Sequence, residues 1–291
     1  MAAGAFNSPT ILQRSGIGDS TLLSPLGINT IIDNKHVGAN FKNQYGTSTL
    51  IKVDKNISNN CPLNKYNFFA FPAVSYFPYI NNGKEGDFKR ECYNFLLNAV
   101  IVIDPSENGL AQTLYDSNTE SLMSYQFWTL APNTSGNVII DTKDPTIQFN
   151  YTYDTYSDPR DLDVGIYMLD IMNECIADMN KQAGKTIVSI AYPDNYASYM
   201  KDRASKEILL KSLPYGAYHP FGTCQIGHNA DEGVVDSNLH VFGLNNLMIC
   251  DASILINGTV SAGPGGQLFA LGHCASEIIK NIYGDGIINY P

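Results

Sequence analysis

Gly4-Ala5-Phe6-Asn7-Ser8-Pro9-Thr10-Ile11-Leu12-Gln13-Arg14-Ser15-Gly16-Ile17-Gly18 stands at the start of a chain of 291 residues. Asn7 or Ser8 can cap a short helix, Pro9 is pre-set for its first turn, and Gly16 can supply the left-handed residue that stops it. A second punctuated stretch follows at Val37-Gly38-Ala39-Asn40-Phe41. Far along the chain comes a third group: Tyr218-His219-Pro220-Phe221-Gly222-Thr223-Cys224, then Val234-Val235-Asp236-Ser237-Asn238-Leu239, then Gly243 to Ile254 with its Asp251-Ala252-Ser253 turn.

Between these stretches the periodicity changes. Leu50–Val53, Phe68–Tyr79 and Leu97–Asp104 are rich in β-branched and aromatic residues and bounded by Asn, Gly and Pro, which predicts strands of an antiparallel sheet. Asn56–Asn67 and Tyr79–Gly86 read as loops between them. From Ser157, a capping Ser, an early Pro159 and an acidic first turn precede Val164, Met168, Ile171, Cys175 and Met179, the pattern of an amphipathic helix. Leu268, Leu271, Ala275, Ile278 and Ile282 form one stripe at 100° per residue, ended by Gly284, and predict a C-terminal helix packed on its neighbours.

Composition narrows the function. With 44% hydrophobic and 16% charged residues the chain is globular, and its net charge of −10 opposes nucleic acids and anionic membrane surfaces. No apolar run reaches membrane-spanning length and no secretory leader is expected, so the location expected is cytoplasmic or virion-associated. Cys61, Cys92, Cys175, Cys224, Cys250 and Cys274 show no zinc-like spacing, so no metal site is expected and the thiols are read as reduced and mostly buried. Glycosylation sequons at Asn56, Asn133, Asn150 and Asn257 are no more than chance provides.

The opening stretch resembles, position by position, the second signature of the glucose-methanol-choline (GMC) oxidoreductases. Val37–Phe41 is similar to that family's VGxNL segment, although the acid and histidine that usually follow are here Asn43 and Gln44. Pro132, Ser135–Val138, Asp144-Pro145, Asn150-Tyr151 and Ser157–Leu162 resemble the family's substrate-domain sheet edge and following helix. In the third group, the resemblance puts His219 at the active-site base and Asp251 and Ala252, with Asn40, at cofactor contacts. It implies FAD as cofactor and oxidation of a CH–OH donor.

Other parts of the family pattern are missing. Gap-free alignment of the last helix puts Gly265-Gly266-Gln267 where the family has its second catalytic side chain, and a hydrogen replaces it. His273 lies opposite the apolar stripe and reads as a surface residue. None of the glycine clusters at 16–18, 263–266 and 284–286 has the strand, third glycine and later acid of a dinucleotide-binding βαβ unit.

The expected fold class is therefore α+β. A GMC-type substrate domain, an antiparallel sheet with helices, spans 46–213, and incomplete remnants of the FAD-binding Rossmann-like domain span 1–45 and 214–291. The remnants should meet in space and leave Leu247–Cys250 and the Leu268–Ile282 stripe uncovered. A truncated, inactive oxidoreductase binding no FAD by itself is the leading expectation. The alternatives are a structural or virion assembly protein, for which a large DNA virus is a compatible source, and a half-enzyme completed by a separate flavin-binding chain. Expected partners are a second copy or a longer relative.

Overall fold

The computed structural model describes residues 1–58, 80–81, 84–85, 119–256 and 263–284. In chain order these form α1 (Gly4–Arg14), β1 (Ile17–Gly18), β2 (Ile32–Asp33), β3 (Lys42–Asp54), β4 (Glu120–Thr129), β5 (Asn137–Ile139) and β6 (Asn150–Thr152). They continue as α2 (Pro159–Ala183), β7 (Val188–Tyr192), α3 (Arg203–Ser212), β8 (Pro214–Phe221) and α4 (Gly265–Tyr283), with short helical turns between. The strands read at Phe68–Tyr79 and Leu97–Asp104 lie outside the described residues, and Leu50–Val53 falls within β3. Lys55–Ser58 is a one-turn helix, and Ile80–Asn81 pairs with Lys84–Glu85, where the sequence reads as loop.

Two units emerge. One is Met1–Gln44, Ala131–Asp154 and Tyr218–Pro291; the other is Tyr45–Leu130 and Thr155–Ala217. The segment Ala131–Asp154, read from sequence with the middle domain, belongs instead with the terminal segments. The reason is hydrogen bonding within that unit: Phe41 and Gly136 exchange two backbone bonds, and Val138 N–H donates to Gly38 at 2.7 Å. The Gln13 side chain, 3% exposed, adds three more, donating to Val37 and Val138 and accepting from the Ile140 amide.

In this first unit α1 begins at Gly4, before either expected cap, and Pro9 sits inside it. A proline there has no N–H for the carbonyl four residues back, that of Ala5. The Thr223 hydroxyl supplies the missing donor, reaching the Ala5 oxygen at 2.6 Å in the buried interior. Ser8 is no cap either; its hydroxyl donates to Asp251 at 2.6 Å. Gly16 ends the helix as read, with φ of 81°, and a Cβ there would stand 2.4 Å from the Asn29 carbonyl, so only glycine fits.

The core of this unit joins Leu12 and Ile17 to Val37, Val235, Ile249 and Ile254, with Leu271, Ala275 and Ile278 of α4 packed on it. The apolar segment Leu247–Cys250 is therefore not left open as expected. Ile249 is fully buried, the Ile249 amide bonds Leu239, and the Cys250 amide bonds the Met1 carbonyl. The rest of α4 does stand outward: Phe269 is 84% and Ile282 44% exposed.

The second unit is built on β3, which pairs antiparallel with β4 from Tyr45↔Thr129 to Asp54↔Glu120 and with β7 through Leu50–Val53. β8 pairs with β3 as well. Asp158, not Ser157, caps α2, accepting from the Arg160 amide at 2.9 Å, and Pro159 opens the helix. The side of α2 that the protein buries carries Met168, Leu169, Met172 and Ile176. Ile171, Cys175 and Met179 fall at its half-buried border. Apolar residues line more than one side of this helix, so periodicity left the choice of stripe to the sheet. Tyr45, fully buried, donates to Asp161 at 3.0 Å and accepts from the Tyr156 amide at 3.0 Å.

Removing the hydroxyl from Thr223 strands the buried Ala5 carbonyl. Thr223→Val is expected to lower unfolding free energy by about 2 kcal/mol, and Thr223→Ser by less because it keeps the donor; urea denaturation of the two variants beside the wild type checks this.

Candidate functional site

Four of the segments singled out in the sequence converge within the first unit. The Gly222 amide donates to Ala252, the Cys224 amide to Ser253 and the Ile226 amide to Ile254, so the strand leaving His219 is laced along the Asp251 turn. Thr223 accepts from the Gly38 amide at 2.8 Å through its carbonyl, which brings in the Val37–Phe41 stretch. Asn40, at φ 57°, follows directly, and a Cβ on Gly222 would lie 2.5 Å from the Asn40 carbonyl. Glycine is required at that crossing.

Asp251 caps the short turn Ala252–Ile254. One carboxylate oxygen accepts from the Ser253 amide at 2.8 Å and the other from the Ser8 hydroxyl. The Ala252 carbonyl accepts from the amides of Gly222 and Leu255. Both residues read as cofactor contacts thus hold the fold together. Among the described residues no strand, glycine turn and helix combine into a dinucleotide-binding βαβ unit: Gly16–Gly18 follows α1, Gly263–Gly266 opens α4, and Gly284 closes it.

His219 sits near the end of β8, half-buried, directly after Tyr218, which is 85% exposed with φ of 58°. A left-handed tyrosine is a costly conformation of the kind that marks functional turns. Two neighbouring side chains grip the histidine. Asn43 accepts from the His219 backbone amide at 2.8 Å, and the Gln44 carbonyl oxygen lies 2.7 Å from the ring Nδ1. Burial pushes the imidazole pKa below its usual value, which keeps the ring neutral near pH 7.

The opposite edge of the ring faces Gly263. A Cβ built there, at φ 107°, would lie 3.2 Å from Nε2 and 3.3 Å from Cε1. Gly265, read from sequence as the vacated catalytic position, is exposed, and a Cβ there would meet nothing within 4 Å. Gly263 is the glycine that lies against the His219 ring. His273 is exposed on α4 as read. Asn43, Gln44 and Gly263 are the site residues that sequence reasoning missed, and the departure from the family's acid and histidine at 43 and 44 was the signal that could have found two of them.

Among the described residues no group of His, Cys, Asp and Glu could hold a metal ion, and no helix is long and apolar enough to cross a membrane. Cys175, Cys224, Cys250 and Cys274 are free thiols; Cys224 is buried, Cys175 and Cys250 are half-buried and Cys274 is exposed, so burial is less general than expected among the described cysteines. Cys61 and Cys92 lie outside the described residues.

The arrangement is that of a mixed helix and sheet fold shared with solved flavin-dependent oxidases. Formate oxidase of Aspergillus oryzae superimposes with a TM-score of 0.73 at 21% identity, covering 98% of this chain and 54% of that one. Pyridoxine 4-oxidase gives 0.68 at 21% identity, over 95% and 50%. Residues 132–272 match the family model for GMC oxidoreductase, and members of that family are among the proteins similar to this chain. Among its relatives, GMC oxidoreductase family protein Mala s 12 of Malassezia sympodialis is 29% identical over 280 residues, covering 87% of this chain and 44% of that protein. Oxygen-dependent choline dehydrogenase of Acinetobacter baumannii is 26% identical over 284 residues, covering 90% and 48%. The chain spans about half the length of the curated relatives it matches.

A histidine whose folded pKa is lowered binds fewer protons than it does unfolded, so it contributes stability that is present above the unfolded value, about 6.5, and is lost as pH falls toward the folded one. Unfolding free energy of the wild type should therefore decline more steeply between pH 6.5 and pH 5 than that of His219→Gln, as measured by denaturant titration at a series of pH values.

Proposed function

We propose that these residues form the C-terminal part of an FAD-dependent oxidoreductase acting on a CH–OH donor, with His219 at the position of the base. By themselves, we infer, the 291 residues hold no FAD and oxidise no alcohol. Oxidising an alcohol removes the hydroxyl proton and a hydride from the same carbon. A neutral, half-buried imidazole is suited to take the proton, while accepting the hydride is chemistry that FAD supplies when bound.

The observation that carries the reading is the employment of Asp251: both carboxylate oxygens are engaged by Ser8 and Ser253, inside a unit whose described residues include no phosphate cradle. Gly263 adds to it, because the residue against the ring edge brings no second side chain to the reaction. The site retains a base position and does not complete the rest.

A second reading is favoured by the outward side of α4, where Phe269, Ile279 and Ile282 are exposed. Here the fold serves in an assembly with a second copy or a longer relative, or is completed by a separate flavin-binding chain, and gains its activity or its role from that partner. Migration as a monomer at micromolar concentration, with no capture of a co-expressed flavin-domain fragment, argues against it.

The absorbance spectrum of the purified chain between 300 and 500 nm, before and after incubation with excess FAD and desalting, tests the first reading. A colourless protein in both states is expected; flavin bands that survive desalting contradict it.

A further inference from the structure

The geometry points to Gln44 as the positioning residue that decides which nitrogen of His219 carries the ring proton. Gln44 is 1% exposed, and its amide oxygen is the atom facing Nδ1, at 2.7 Å. A carbonyl oxygen can only accept, so the hydrogen of that bond belongs to Nδ1. The neutral ring then has its lone pair on Nε2, the nitrogen on the edge that faces Gly263.

Two features make this a fixed arrangement. The neighbouring Asn43 holds the His219 backbone amide at 2.8 Å, so main chain and ring are gripped from two successive residues at the start of β3. On the other side Gly263, at φ 107°, brings no side chain against Nε2, and any L residue there would press on the ring.

The choice of glutamine also has an electrostatic consequence. A carboxylate at 44 would accept the same bond but would favour the imidazolium, and a proton held on Nε2 is a base already spent. A neutral amide orients the ring without adding charge. This inference deepens the assignment of His219 as base and rests on it for its functional meaning, but the tautomer itself is a property of the chain without flavin.

The test is ¹⁵N NMR of the imidazole at pH 8 in the purified chain, with the His219 signals assigned by their disappearance in His219→Gln. The wild type is expected to show a protonated Nδ1 and an unprotonated Nε2. Gln44→Leu should lose that preference and move toward the Nε2–H form, with folding checked by circular dichroism. Gln44→Glu should restore the Nδ1–H form and raise the proton affinity of the ring about tenfold or more. A wild-type ring protonated on Nε2, or a folded Gln44→Leu with unchanged nitrogen shifts, overturns the inference. Should Gln44→Leu not fold, the wild-type and Gln44→Glu spectra still decide it. Flavin retained by the chain contradicts the proposed function and leaves these spectra as they are, so the two failures are distinguishable.

Discussion

Pro9 denies the Ala5 carbonyl its helical partner, and the Thr223 hydroxyl makes good the loss at 2.6 Å. That one bond joins residues 218 positions apart and ties the helix of the opening signature to the strand that carries His219. The carbonyl is buried, so leaving it unmet would cost the full desolvation of a polar group and not merely the net value of one hydrogen bond. Ser8 to Asp251 and the three bonds of Gln13 repeat the same logic from the same helix. Helix α1 is the hub at which three separate pieces of chain become one unit, and the positions of Asn40, His219 and Asp251 follow from it.

The unit that results has a buried interior and an apolar helix side that stands exposed. Ile249 is wholly buried, whereas Phe269 on α4 is almost wholly open. The site inherits this division. His219 is held by Asn43 and Gln44 and desolvated enough to stay neutral, and Asp251 is consumed in joining the turn to α1. The chain spans about half of its relatives' length, and its described residues hold His219 in a fixed, half-buried setting.

Much of this was legible in sequence where the signal is local. Gly16 and Gly284 stop their helices as read, Pro159 opens α2, and the Leu271, Ala275 and Ile278 side of α4 packs inward. The misreadings share a cause. Pro9 looks like the first residue of a helix because local rules place proline there, and the hydroxyl that permits it in the interior lies in a distant segment. Ala131–Asp154 looks like part of the middle sheet until Gln13 claims it. That Gly263 stands against His219 is set by the fold, and no periodicity encodes it. Gln44 stood in the sequence as a departure from a family pattern, but its task is visible only through its 2.7 Å bond.

The central claim is that α1, the Val37–Phe41 stretch, the Ala131–Asp154 segment and the strand after His219 form one ordered unit without flavin. Hydrogen exchange on the purified, flavin-free chain tests it at named amides: Gly38 bonded to Thr223, Ile140 to Gln13, Cys224 to Ser253 and His219 to Asn43. The account predicts slow exchange at all four, with Gly38, Ile140 and Cys224 opening together close to the free energy of global unfolding. Rapid exchange at these amides, while β3 and β4 stay protected, would contradict it.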